Sequence, residues 1–283
     1  MKNNIKHYLL FSLAILLSVN TFAKSDKAEK AGWKLGIQTY TFHTVSLQES
    51  IDKAHQLGVN YVEAFYEQRL GEGMEGKMNF NMDQATRKKL LAYAKSKKVK
   101  IIATGVITKK SQEEWEKVFQ FASSMGIKII TCEPEYKDLK YIDTLANRYK
   151  INVAIHNHPK PSEYWNPDLF LENVKDLSER IGGSADIGHW KRMGIDPVEG
   201  IRKYGNRLKI VHLKEIEANQ EGKAAQDDVL PGTGVCNLEG VFQELKSENF
   251  KGVFSIEYEG DPKSLMLSVE EYVQFFNNSV DKL

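Results

Sequence analysis

The chain has 283 residues, 41% hydrophobic and 27% charged, with 39 Lys and Arg against 38 Asp and Glu. That near-neutrality leaves no global field to hold nucleic acid or an anionic bilayer, and the apolar content excludes disorder as the general state. Two cysteines, Cys132 and Cys236, are too few for a disulfide framework or a cysteine-rich zinc site, and are read as free thiols.

Lys2 and Lys6 precede an apolar run from Leu9 to Val19, followed by Thr21-Phe22-Ala23. This is the layout of a secretory signal peptide over residues 1–23, too short for a membrane span, and it predicts an exported, periplasmic or extracellular protein with no membrane contact after cleavage. Residues 24–32 are polar and read as a disordered lead-in. From residue 33 to 283 short β-rich runs alternate with helical patterns. The predicted strands are Leu35–Thr41, Tyr61–Phe65, Lys100–Ile107, Lys128–Cys132, Asn152–His156, Gly183–Asp186, Leu208–Leu213 and Val253–Tyr258. Most are apolar almost throughout, as strands buried on both faces must be.

The helices between them carry start and stop signals. Ser46 with Glu49, Ser111 with Glu114 and Ser268 with Glu271 fit capping boxes. Asn166-Pro167 and Asp196-Pro197 put an N-cap before a first-turn proline, while Gly58, Gly126 and Gly205 mark helix ends. Eight units at a steady βα period predict a single-domain (β/α)8 TIM barrel. No G-x-G-x-x-G follows the first strand, which disfavours a dinucleotide fold.

In such a barrel the chemistry projects from the C-terminal strand ends. Those ends read Cys132-Glu133-Pro134-Glu135, His156-Asn157-His158-Pro159, Asp186-Ile187-Gly188-His189-Trp190, His212-Leu213-Lys214-Glu215 and Glu257-Tyr258-Glu259. Carboxylates and imidazoles ending apolar strands are costly unless paired or metal-bound. Glu133, Asp186, His212 and Glu257 form a nitrogen-and-oxygen set suited to one divalent ion, Mn, Mg, Co or Zn. His43 and His55, in a loop and on a helix, read as structural.

Four motifs, Gly36-Ile37-Gln38-Thr39-Tyr40, Asp186-Ile187-Gly188-His189, His212-Leu213-Lys214-Glu215 and Gly232-Thr233-Gly234, resemble the signatures of the xylose isomerase-like TIM barrels over essentially the whole mature chain. That superfamily includes sugar epimerases, hydroxypyruvate isomerases and inosose dehydratases. By resemblance Glu133, Asp186, His212 and Glu257 match its metal ligands and His189 its substrate-contacting histidine, with Glu133 and Glu257 on opposite faces of the substrate. His156 stands where many epimerases carry glutamate.

The reaction class so implied is proton abstraction next to a metal-bound carbonyl, giving an isomerase or epimerase of a non-phosphorylated sugar or keto-sugar. A lyase or hydratase on a 3-keto-glycoside would use the same enolisation, and a non-catalytic sugar-binding barrel is the third reading. Glu133, Glu257, His156 and Lys214 are the candidate catalytic groups, with His158 a further candidate base. Tyr40, Glu63, His158, Trp165, His189 and Trp190 are the candidate substrate contacts. The expected partner is a small carbohydrate. A three-zinc phosphodiesterase is disfavoured, because Thr104-Gly105-Val106 and the loop holding Asp227-Asp228 lack the extra histidines.

Overall fold

Residues with no polar side chain gain most when both faces of their sheet are covered, and the strands obey that rule. Ile129–Cys132 and Val253–Ile256 are buried at every position, each large apolar side chain contributing about 1.5–3 kcal/mol. The computed structural model describes residues 26–221 and 226–283. Its strands are β1 (Lys34–Gln38), β2 (Tyr61–Phe65), β3 (Arg69–Gly71), β4 (Met74–Lys77), β5 (Lys100–Ile107), β6 (Ile129–Cys132), β7 (Asn152–Ile155), β8 (Ile181–Asp186), β9 (Leu208–Leu213) and β10 (Val253–Ile256). Eight of them close a parallel barrel in the order β1-β10-β9-β8-β7-β6-β5-β2, and β3 and β4 form a separate antiparallel hairpin. Ile102, Ala103, Ile129, Ala154, Ile210 and Val253 make a small core of their own. Five strands contribute to it, which only the barrel interior can bring together. The larger apolar cluster packs the helices onto the outside.

The expected (β/α)8 barrel is therefore the observed one, with local differences. The first strand stops at Gln38, because its side-chain oxygen accepts the Tyr40 amide at 3.2 Å and starts a 3-10 turn, Thr39–Phe42. The hairpin β3–β4 has no counterpart in the predicted elements. Ser46 and Glu49 form the full capping box, and Asn166 and Asp196 cap as expected. Ser268, by contrast, lies buried inside the helix Leu265–Lys282, whose cap is Ser264. The lead-in is corrected as well: Asp26–Ala31 is a helix, with Ala28 buried in the core. The expected signal peptide, residues 1–23, lies outside the described residues. Among the described residues no helix is long and apolar enough to cross a membrane. Cys132 and Cys236 are separate buried thiols, as expected.

Candidate active site

Register builds the site. Side chains alternate along a strand, and Asp186 of β8 faces His212 of β9, which in turn faces Ser255 of β10. On the far side Gln38 of β1 is level with Glu63 of β2. Continuing the alternation past β9 brings Lys214 to the same side as His212 and turns Glu215 outward. Glu215 accepts the backbone amides of Cys236 at 2.8 Å and Gly232 at 3.2 Å, so it anchors the Gly232-Thr233-Gly234 loop. A Cβ at Gly234 would stand 2.1 Å from the Ile216 carbonyl oxygen, and one at Gly188 would stand 2.7 Å from the Lys214 stem. These two close approaches explain the glycines of both motifs.

At the centre four imidazoles crowd together. The His156 ring lies 4.4 Å from His158, 4.9 Å from His212 and 5.8 Å from His189, centroid to centroid. Donor atoms of His156, Asp186 and His212 fall within 4.8 Å of one another. Burial, reinforced by the other histidines, holds His156 well below its ordinary pKa and hence neutral, with a lone pair to give. His212 is bracketed by carboxylates: Glu257 Oε2 lies 3.0 Å from its Nδ1 and Glu63 Oε2 lies 2.9 Å from its Nε2. Burial opposes a charge there, but Glu63 and Glu257 outweigh it and push His212 well above the usual range.

The Lys214 ammonium is fully buried, 3.6 Å from both Asp186 Oδ2 and Glu257 Oε2, and paired with Glu259. Burial again opposes the charge, and Glu257 and Asp186 overcome it, leaving Lys214 protonated. Asp186 works in two directions. Its Oδ1 caps the helix Ile187–Arg192 through the His189 amide at 2.8 Å. Its Oδ2 is buried without a hydrogen-bond partner, as is Glu63 Oε1.

Two of the histidines carry opposite proton demands. His158, half-exposed, donates its backbone amide and its Nδ1–H to Glu133 Oε1, at 3.0 and 2.9 Å. Burial lowers its basicity, yet Glu133 wins and His158 ends above its usual value. His189 is held down to about 3, chiefly by burial, against the pull of Asp186. Arg192 Nη1 donates to His189 Nδ1 at 3.0 Å, leaving Nε2 as the N–H donor. Arg192 is itself gripped by Asp228 Oδ1 at 2.6 Å.

A cavity of about 290 Å³ opens over this cluster, with Gln38, Tyr40, Phe65, Gly105, Val106, His158, His189, Glu257 and Glu259 in its wall. The structure thus brings Tyr40, His158, His189 and Glu257 together as expected, with His156, Asp186, His212 and Lys214 beneath them. Four expectations are corrected. Glu133 turns to His158, and the donors gathered within reach of one another are His156, Asp186 and His212. Glu63 is wholly buried against His212, away from the cavity wall. Trp190 is fully buried outside the cavity, against Tyr204 at 4.9 Å. Trp165 lies off the cavity wall, beneath the Lys160 ammonium at 4.1 Å.

This geometry has relatives. The sequence profile of the xylose isomerase-like TIM barrels matches residues 51–278. The chain belongs to that family. A solved structure of an uncharacterized protein from Parabacteroides distasonis is 37% identical, covers 87% of this chain and 99% of its own, and superposes with a TM-score of 0.72. An inosose dehydratase from Clostridium perfringens is 25% identical over 201 residues, 55% of this chain and 67% of that enzyme. The structure described as IolI protein with a bound zinc atom shares the fold, at 18% identity and a TM-score of 0.67, over 87% of this chain and 96% of its own.

In this xylose isomerase-like barrel the donors fit a divalent cation. Asp186 Oδ2 is an orphaned buried oxygen beside a neutral imidazole, His156, and Glu63 behind His212 supplies the carboxylate that fixes a metal-binding histidine's tautomer. Arg192 escaped the sequence reading, which gave Gln38, Asp228 and Glu259 no role in the site. Arg192 had a signal: it falls three residues after His189, a spacing that meets on a helix but not in a loop.

Proposed function

We propose that this protein is a divalent-metal-dependent enzyme of a neutral sugar or keto-sugar, whose reaction opens by removing a proton from the carbon next to a carbonyl. His156, Asp186, His212 and Glu257 would hold the metal. When bound, such an ion acts as a Lewis acid that draws electron density from a carbonyl oxygen. The protein's own groups do the rest. His158 Nε2, freed for basicity because Nδ1–H is given to Glu133, takes the proton. The Nε2–H of neutral His189, fixed by Arg192, donates to the oxygen on which negative charge develops. Lys214 adds a fixed positive charge alongside.

The observation that carries this reading is the pair His158 and His189, ring centroids 5.2 Å apart in one cavity, one primed to accept a proton and the other to donate a hydrogen bond. The same pair favours elimination over epimerisation. Epimerisation requires a second base across the carbon, and the sequence candidate for it, Glu257, has its Oε2 held by His212 and Lys214. Elimination requires one. The C–H bond breaks to His158, a C=C bond forms, the β C–O bond breaks, and the proton passes from His158 to the departing oxygen as water or an alcohol. The similarity to an inosose dehydratase supports this direction. Export by residues 1–23 is part of the proposal, since an exported enzyme meets free sugars rather than phosphorylated intermediates.

Incubating the metal-loaded protein with keto-sugars and keto-glycosides in D2O, followed by NMR, tests it. Loss of the α-hydrogen with release of water or alcohol is expected, with deuterium at the α-carbon of recovered substrate where proton removal reverses before release. Exchange without release would favour the isomerase or epimerase reading. Tight binding with no exchange on any substrate would leave a sugar-binding barrel and overturn the proposal.

A further inference from the structure

His158 and His189 use one device with opposite partners. A carboxylate beside Nδ1 makes that nitrogen carry the hydrogen, as Glu133 does for His158, and leaves Nε2 bare. On His189 the partner of Nδ1 is a guanidinium, which has hydrogens to give and no lone pair to offer. Nδ1 must therefore accept, and Nε2 carries the hydrogen, 3.6 Å from Asp186 Oδ2 on the side of the donor cluster. What His189 can do for a substrate depends on where the Arg192 guanidinium is held.

The hold comes from the loop after β9. Arg192 ends the helix Ile187–Arg192, and its long side chain has several torsions to lose on being fixed. Its Nη2 donates to Asp228 Oδ1 at 2.6 Å and to the Gln226 carbonyl at 3.0 Å, while Nη1 donates to His189 at 3.0 Å. The fork is rigid and planar, so two anchors on one nitrogen set the direction of the other. Asp228 is the firmer member of the pair, its side chain 2% exposed against 19% for Arg192. Its Oδ2 accepts the Glu259 amide at 2.9 Å, and its backbone is bridged to Ile216. The chain of contacts Asp228–Arg192–His189 thus starts from a point tied to the ends of both β9 and β10.

We propose that Asp228 is a positioning residue: through Arg192 it sets the tautomer and the aim of His189, so that this imidazole donates a hydrogen bond rather than accepting one. The proposal rests on the function above, in which His189 donates to the oxygen that gains negative charge, and names what fixes that donor.

Nitrogen NMR of the histidine-labelled, zinc-loaded full chain reads the relay directly. His189 is expected as a single neutral tautomer, with Nε2 protonated and Nδ1 hydrogen-bonded. Asp228→Asn keeps the shape and removes the charge, and Arg192→Met removes the donor. In both, the Nδ1 resonance is expected to move toward that of an unbonded nitrogen, with the Nδ1–H tautomer appearing beside it. Asp228→Ser is a second variant at that position, and either one that folds decides. Combining Asp228→Asn with Arg192→Met should reproduce the Arg192→Met spectrum, because Asp228 acts through Arg192, whereas independent effects would add. Turnover reads the catalytic consequence: kcat should fall about 10–100-fold in each single variant with KM changed by no more than about twofold. A hydrogen on His189 Nδ1 in the parent, a His189 spectrum unaltered by the Asp228 variants, or additive changes in the combined variant would overturn the relay. Altered spectra with unchanged kcat would leave the relay standing and remove His189 from the chemistry proposed above.

Discussion

The two ends of this barrel carry charge under opposite conditions. At the N-terminal ends of the strands Lys100, Lys128 and Lys251 are exposed, with Lys34 and Lys209 half-buried. The exposed ones can lay their stems on apolar surface while their ammonium groups stay in water. At the C-terminal ends Glu63, Asp186, His212, Lys214 and Glu257 are buried together. There every charge depends on its partners, because removing one leaves another desolvated and unpaired. Solvated charges are independent and replaceable, whereas buried ones form a unit whose members fail jointly.

Substitutions at the two ends should sharpen that contrast. The largest effect is expected at Asp186. Asp186→Asn keeps the Oδ1 cap on the His189 amide but loses the charge beside His156 and His212, so divalent-metal affinity should fall beyond the ~100-fold reached by outer-shell changes, with turnover abolished. Metal titration by calorimetry reads the first and NMR exchange the second. Next comes His158→Gln, expected to slow α-proton exchange by about 10²–10⁴-fold while leaving metal binding near that of the parent. An unchanged exchange rate would remove His158 from the chemistry. Glu63→Gln keeps an oxygen facing His212 Nε2 but not the charge, and should weaken metal binding by about 10–100-fold. The smallest effect is expected at the other end. Lys128→Gln should change stability by no more than about 0.5 kcal/mol in urea unfolding, with activity intact. A large effect there would break the comparison.

The sequence made the barrel legible because parallel strands leave an apolar signature that water cannot confuse, as Ile129–Cys132 illustrates. Where it misled, the deciding contact lay far along the chain or turned on an angle. The turn after Gln38 is braced by Thr39 bonding to Gln68, twenty-nine residues on, which no local pattern announces. The hairpin β3–β4 is polar, with Leu70 and Met74 as its buried members, too little alternation to read as strands. His189, a substrate contact by resemblance, and Trp190, a candidate contact beside it, are neighbours just past the end of β8. The chain is already helical there, so adjacent side chains diverge by about 100° and Trp190 turns outward against Tyr204. Glu133 and His156 both follow strand ends, and only the contact between Glu133 and His158 separates the donor from its neighbour.

Asp186, finally, joins a helix to a cation site through the two oxygens of one carboxylate. Fraying of the first turn of Ile187–Arg192 frees the oxygen that caps it and loosens the carboxylate as a whole. A cation engaging the other oxygen therefore makes that fraying harder, by the usual mass-action relation between ligand occupancy and local opening. The amides at the start of this helix should exchange with solvent more slowly as the cation is titrated in, so one short segment serves as the protein's own gauge of its ion.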